Sequence, residues 1–175
     1  MRELYDRLDS DYLGFIPDFS ATMHRITPGL IQILVDAGLP SRLVPDLQRI
    51  WAQQGKPAER LGEFLELARA AGAPEGALVQ ANAPFTMNGH EAPNSWVELM
   101  PRVFHVHAKF YEIGADGQEP SIDYEANLGP LRDAGFSGSI SSEWEAHSWT
   151  PIADLDTFAL IRRQQELIRT IFGMD

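Results

Sequence analysis

Cysteine is absent from the 175 residues of this chain, which excludes both a disulfide framework and a thiolate zinc site. Long hydrophobic runs are missing as well, so no stretch reads as a bilayer-spanning helix. Basic residues are scarce: 14 Lys and Arg stand against 25 Asp and Glu, a formal net charge of −11. A surface of that sign repels a phosphate backbone and offers no basic stripe, which argues against nucleic acid as a partner and against a nuclease. There is no internal repeat and no low-complexity run. The opening Met1 to Leu8 is charged throughout, unlike a secretory signal, and a cytoplasmic location is expected.

What is present is the composition of a globular domain, 44% hydrophobic and 22% charged, at a length that supports one well-buried core. Arg2 to Leu8 reads as the end of a helix, and Tyr12 to Pro17 as a buried strand running into Asp18. Thr27 predicts a helix cap with Pro28 in the first turn, an apolar face of Ile31, Leu34 and Val35, and a stop at Gly38. A second helix starts at Ser41 on Leu43, Leu47, Ile50 and Trp51, and a third runs from about Pro57 to Ala71 on Leu61, Phe64, Leu65 and Ala68. Residues 82–93 read as a loop with Asn88-Gly89 as a turn signal, and Ser95 to Met100 as a short helix closed by Pro101. Val103 to Phe110 alternates as a strand, Tyr124 to Ala134 is a helix, and Ser139 to Glu143 is a second strand. Leu155 to Phe172 is a long amphipathic helix on Leu155, Phe158, Ile161, Leu167, Ile168 and Ile171. Strand then helix, repeated, is the pattern of a parallel sheet with crossover helices.

Each strand ends on a side chain that can bind a metal: Asp18, His107 and Glu143. Side chains alternate faces along a strand, so His105, His107 and Lys109 share one face, as do Ser141, Glu143 and Glu145. This predicts His107 and Glu143 at matching depth, Asp18 level with them, and His105 one layer below in a supporting role. The C-terminal ends of different strands assemble the active sites of β/α barrels. The expected fold is therefore α/β, with these strand ends at the mouth of a β/α barrel. One imidazole and two carboxylates without thiolate favour a hard divalent cation, Mn²⁺ first and Mg²⁺, Co²⁺ or Zn²⁺ after it. Glu145 follows Trp144 and is expected in the loop, supporting rather than ligating. His24 and His147 follow metal-bearing strand ends and are candidates to touch substrate, whereas His90 reads as a loop or surface residue. The bland readings stand beside these: an Asp after a strand is often a helix cap, and Lys109 can pair with Glu143 or Glu145 as readily as donate to a substrate oxygen.

Phe104-His105-Val106-His107-Ala108-Lys109-Phe110, Ser121-Ile122-Asp123-Tyr124, Leu131 to Gly138 and Ser142-Glu143 resemble the C-terminal part of the xylose-isomerase-like sugar phosphate isomerase/epimerase superfamily. Leu13 to Phe19 resembles its preceding metal-bearing strand. The resemblance implies the C-terminal part of a (β/α)8 TIM barrel with a helical insertion over about residues 28–90, in which Glu, Asp, His and Glu hold one divalent metal, and Asp18, His107 and Glu143 match the last three positions. It implies an isomerase or epimerase that transfers a proton next to a sugar carbonyl, with two metal-bound glutamates as base and acid. Glu143 is one of them, and Lys109 is a candidate donor to a substrate oxygen, with a structural pairing to Glu143 or Glu145 as the alternative.

The superfamily's first metal glutamate belongs to a strand that should precede Asp18, and a barrel takes about 250 residues. The chain is thus expected to be part of a barrel, completed by the remainder of a longer protein or by a partner subunit, and catalytically incompetent alone. Lys109-Phe110-Tyr111-Glu112 and Ser141 to Glu145 also resemble the catalytic subunits of bacterial C-glycoside deglycosidases. That resemblance implies a lyase acting on 3-oxo-glycosides beside a small β-rich partner subunit. A barrel fragment without catalysis is the third expectation. In all the catalytic readings the substrate is a small sugar or glycoside, with neither nucleic acid nor membrane as partner.

Overall fold

A computed structural model describes residues 2–8, 10, 12–93, 95–148 and 155–174. The fold is α/β. Its sheet has two parallel strands, β1 (His105–Phe110) and β2 (Ser139–Trp144), joined by a crossover through helix α7 (Tyr124–Asp133). The numbering counts six earlier helices: α1 (Arg2–Leu8), α2 (Pro28–Asp36), α3 (Val44–Trp51), α4 (Pro57–Ala70), α5 (Glu75–Gln80) and α6 (Ala83–Met87). Helix α8 (Thr157–Phe172) follows β2 and packs on both α7 and the sheet.

On the free side of β1 a segment runs parallel to it, through single bridges from Phe15 to Val103 and from Asp18 to His107. The expected buried strand at Tyr12 to Pro17 is therefore only a bridged edge. Tyr12 is 98% exposed and Ile16 49%, because among the described residues nothing pairs with its outer side. Among the described residues, two strands and one bridged segment make up the sheet; the barrel expected from the sequence goes beyond what these elements contain.

Local chemistry explains the helices. Thr27 Oγ1 accepts from the N–H of Leu30 (3.2 Å) and Pro28 fills the first turn, where its missing N–H costs nothing. Gly38 takes φ 102° after the helix, a left-handed position that favours glycine. Asp123 and Asp156 cap α7 and α8, accepting from Ala126 and Ala159 at 2.9 Å each. Leu34, Leu47, Ile50, Trp51 and Phe64 interlock in a buried cluster that joins Phe19, Val106 and Phe110.

Four readings change. Residues 82–93 are not all loop: Ala83 to Met87 form α6, with Pro84 in its first turn. Asn88-Gly89 is no turn but an extended segment, antiparallel to the chain after Asp18, with Gly89 N–H donating to Ser20 O (2.7 Å) and Met23 N–H to Gly89 O (3.2 Å). A Cβ on Gly89 would lie 2.7 Å from the carbonyl oxygen of Ala21, so the glycine serves close approach. Phe158, assigned to the apolar face of α8, is 73% exposed. Pro101 lies inside a 3-10 helix, Val97–Arg102, rather than after a helix ending at Met100. Among the described residues no helix is long and apolar enough to cross a membrane.

Candidate functional site

Alternation along β1 creates the site. Val106, Ala108 and Phe110 are buried on one side, while His105, His107 and Lys109 are part-exposed on the other. The buried side is held by Gln164 of α8, whose amide donates to Ala108 O (3.1 Å) and to the Tyr124 hydroxyl (3.0 Å), while Tyr124 donates to Lys109 O (2.9 Å). Gln164 accepts from Ser142 of β2 at 2.6 Å. These bonds fix both strands from behind, leaving the opposite face to carry charge.

On that face Asp18, His107 and Glu143 each offer a ligand atom within 4.8 Å of the other two, a spread that one ion at about 2.0 to 2.6 Å from each ligand can bridge. Asp18 is level with His107, as its bridge requires. Glu143 is not: the register sets Ser141 opposite His107 and Lys109 opposite Glu143. The expected match in depth between His107 and Glu143 is corrected by one layer. The glutamate reaches back across that layer, bringing Oε2 to 3.5 Å from His107 Nδ1. No hydrogen bond joins the two, and Oε2 is buried without a hydrogen-bond partner. Asp18 also caps the short helix Phe19–Ala21, with Oδ1 accepting from Ser20 N–H (2.9 Å) and hydroxyl (2.7 Å). Capping therefore occupies one oxygen and leaves Oδ2 facing the cluster.

Lys109 closes the group. Its side chain is 13% exposed, with Nζ 3.3 Å from Asp18 Oδ2, 3.6 Å from Glu143 Oε1 and 3.8 Å from Glu145 Oε2. Burial pulls its pKa down, but Asp18, by charge and hydrogen bond, with Glu145 and Glu143, outweighs this and holds it above the ordinary lysine value. Glu145 lies past the end of β2, its N–H donating to Phe110 O (3.0 Å), and touches the lysine rather than the triplet.

The histidines separate. His105 has both ring nitrogens taken by serine hydroxyls, Ser139 at 2.7 Å and Ser141 at 3.1 Å, and supports His107 from below with rings 5.2 Å apart. His24 lines an open hollow with Glu119, Asp123 and Arg132, away from the triplet. His147 is exposed and lies near the Trp144 ring at 6.3 Å. His90 lies tilted against Trp51, with ring centroids 5.2 Å apart, beside buried Arg60; burial and the Arg60 charge lower its pKa.

Sequence reasoning missed Tyr111 and Glu119 beside the site, and Gln164 behind it. Tyr111 continues the parity of His107 and Lys109 and was legible by that rule; its hydroxyl donates to Asn88 Oδ1 (3.2 Å). Burial first, then the charges of Asp18, Glu145, Glu119 and Glu143, raise its pKa. Glu119, 5% exposed, staples the loop after β1 by accepting from Ser121 and Ile122 N–H at 2.5 Å each. Burial pushes it up to about 7 despite those bonds. No sequence pattern marks it.

The triplet brings two carboxylates and one imidazole together on one side of parallel strands. No protein-family model matches the chain. The C-glycoside deglycosidase alpha subunit of Arthrobacter globiformis is 38% identical over 170 residues, covering 97% of this chain and 48% of that protein. The 3'-dehydrocarminate deglycosidase alpha subunit of a Microbacterium species is 37% identical over 183 residues, covering 98% and 51%. A C-glycoside deglycosidase alpha subunit from Microbacterium trichothecenolyticum is 32% identical over 158 residues, covering 85% and 43%. The chain spans about half the length of the relatives it matches. Its homologues are deglycosidase alpha subunits, which overturns the expectation of an isomerase or epimerase.

Proposed function

We propose that this chain carries part of the catalytic centre of a C-glycoside deglycosidase, a lyase that releases an aglycone from a 3-oxo-glycoside. The observation that carries the reading is the convergence of Asp18, His107 and Glu143 within 4.8 Å, in a chain similar along nearly its whole length to deglycosidase alpha subunits. The words "alpha subunit" support a second subunit as partner. The three parallel segments with their polar ends on one side support a place in a larger β/α barrel.

Asp18, His107 and Glu143 are the residues that would hold a divalent cation. The donor set fits: one imidazole nitrogen, two carboxylates, no thiolate, and in Glu143 Oε2 a buried oxygen without a hydrogen bond. Bound there, the ion would draw electron density from the substrate's carbonyl and make the neighbouring C–H acidic. Glu143 is the group assigned to take that proton. The electron pair of the C–H bond becomes a carbon–carbon double bond as the bond from the anomeric carbon to the aglycone breaks, and the departing aglycone carbon takes up a proton. His105 keeps His107 in orientation through its serine pair, and Tyr111 and Asn88 wall the upper end.

Product analysis tests this. Within an alpha subunit of its relatives' full length, with Mn²⁺ and a beta-type partner subunit, this segment should support release of aglycone from a 3-oxo-C-glycoside, and Glu143→Gln should slow release by at least about a hundredfold, the scale of a lost acid–base group. Release at an undiminished rate by Glu143→Gln, or no release by the unmodified assembly, would contradict the assignment.

A further inference from the structure

The carboxylates of this site outnumber what three ligands need. Asp18, Glu143 and Glu145 surround Lys109 Nζ at 3.3, 3.6 and 3.8 Å, so three negative charges and one positive leave the cluster with two negative charges. That is the complement of one divalent cation. The lysine also competes with any such ion, because two of its three partners, Asp18 and Glu143, are in the triplet. The third, Glu145, stands just beyond β2 and touches only the lysine among these groups.

Resting on the metal reading above, we propose that Lys109 is a resident counter-ion rather than a substrate donor, and that Glu145 is the positioning residue that receives its ammonium when a divalent cation takes Asp18 and Glu143. Before the ion arrives, Lys109 holds two mutually repelling carboxylates close together, so the ligand geometry exists in advance. On arrival the ammonium needs only to shift its weight from Asp18 and Glu143 to Glu145, on the same side of the sheet. It remains buried with a partner, which avoids the cost of an unpaired interior charge. The retained positive charge limits the site to a single ion of charge two.

Cation titrations of the chain and its variants provide the test, with Mn²⁺ and La³⁺ as probes and circular dichroism to confirm folding. Lys109→Met should tighten Mn²⁺ by about tenfold, the scale of removing one unit charge some 5 Å from a divalent ion in a water-like dielectric. It should tighten La³⁺ by more, since the relieved repulsion grows with the charge of the ion. Lys109→Arg, which keeps the charge, should stay near the unmodified chain. Glu145→Gln should weaken Mn²⁺ several-fold, because the ammonium then falls back wholly on the two ligands, and this loss should shrink in the Lys109→Met background. Equal losses in both backgrounds would make Glu145 independent of the lysine and overturn the proposal, as would a Lys109→Met protein that binds Mn²⁺ no more tightly. If the unmodified chain takes up no Mn²⁺ at all, the metal reading falls, and this proposal with it.

Discussion

The helices from Pro28 to Met87 and the strand region on either side of β1 cover their apolar residues differently. In the helical half Leu34, Leu47, Phe64 and Trp51 are fully covered by neighbours within the chain. In the strand half Leu13, Ile16 and Phe104 stand at the surface and every residue of β2 keeps some exposure. The helices close their core with each other because short connections return each one to its predecessor. A parallel strand depends on partners distant in sequence, and here the outer sides of β2 and of the Leu13 to Asp18 segment have none among the described residues. The lesson is that the helices supply stability while the strands supply chemistry and open edges.

The sharpest way to break this contrast is a pair of truncations. Phe64→Ala in the helical core should cost about 3–5 kcal/mol by cavity formation, read by urea denaturation. Phe104→Ala, with its side chain largely in water, should stay within about 0.5 kcal/mol. Equal losses would show that the strand edge is as stabilising as the helical core.

A smaller effect should come from Gly89→Ala, whose methyl meets the backbone of Ala21. About 1–3 kcal/mol is expected from overpacking, and because Ala21 lies in the turn that Asp18 caps, Mn²⁺ affinity should fall with it. A stability loss that leaves cation binding untouched would detach the helical half from the site.

Glu119 sharpens the comparison by pH. Its pKa is raised to about 7 in the fold, so the stability tied to its protonated form is present below the ordinary glutamate range and is lost as pH rises through about 7. Glu119→Gln stays neutral throughout. Relative to the unmodified chain, its melting temperature should therefore gain between pH 5 and pH 8, by an amount corresponding to about 1–3 kcal/mol. A difference independent of pH would contradict the buried ionisation.

How much of this was legible follows the same division. Helix starts at Thr27 and Asp123 were readable because capping is local. Strand parity placed His105, His107 and Lys109 on one face, and the triplet Asp18, His107 and Glu143 does come together. The one-layer offset of Glu143 was not readable, since register depends on how α7 returns the chain to β1. Asn88-Gly89 misled because its glycine answers a contact with Ala21 sixty-odd residues away, not a local turn. Glu119 and Gln164 escaped because buried polar residues are chosen by partners that only the fold supplies. The chemical class was misread between two resemblances that share a scaffold, and the relatives' names decided against isomerisation.

The central claim is that Asp18, His107 and Glu143 hold one divalent cation. Calorimetric titration with Mn²⁺ measures it directly. The account predicts one ion per chain, binding lost in Asp18→Asn, His107→Ala and Glu143→Gln, and only weakened in Glu145→Gln. Absence of binding in the unmodified chain, or a Glu143→Gln protein that keeps its ion while Glu145→Gln loses it, would contradict that claim.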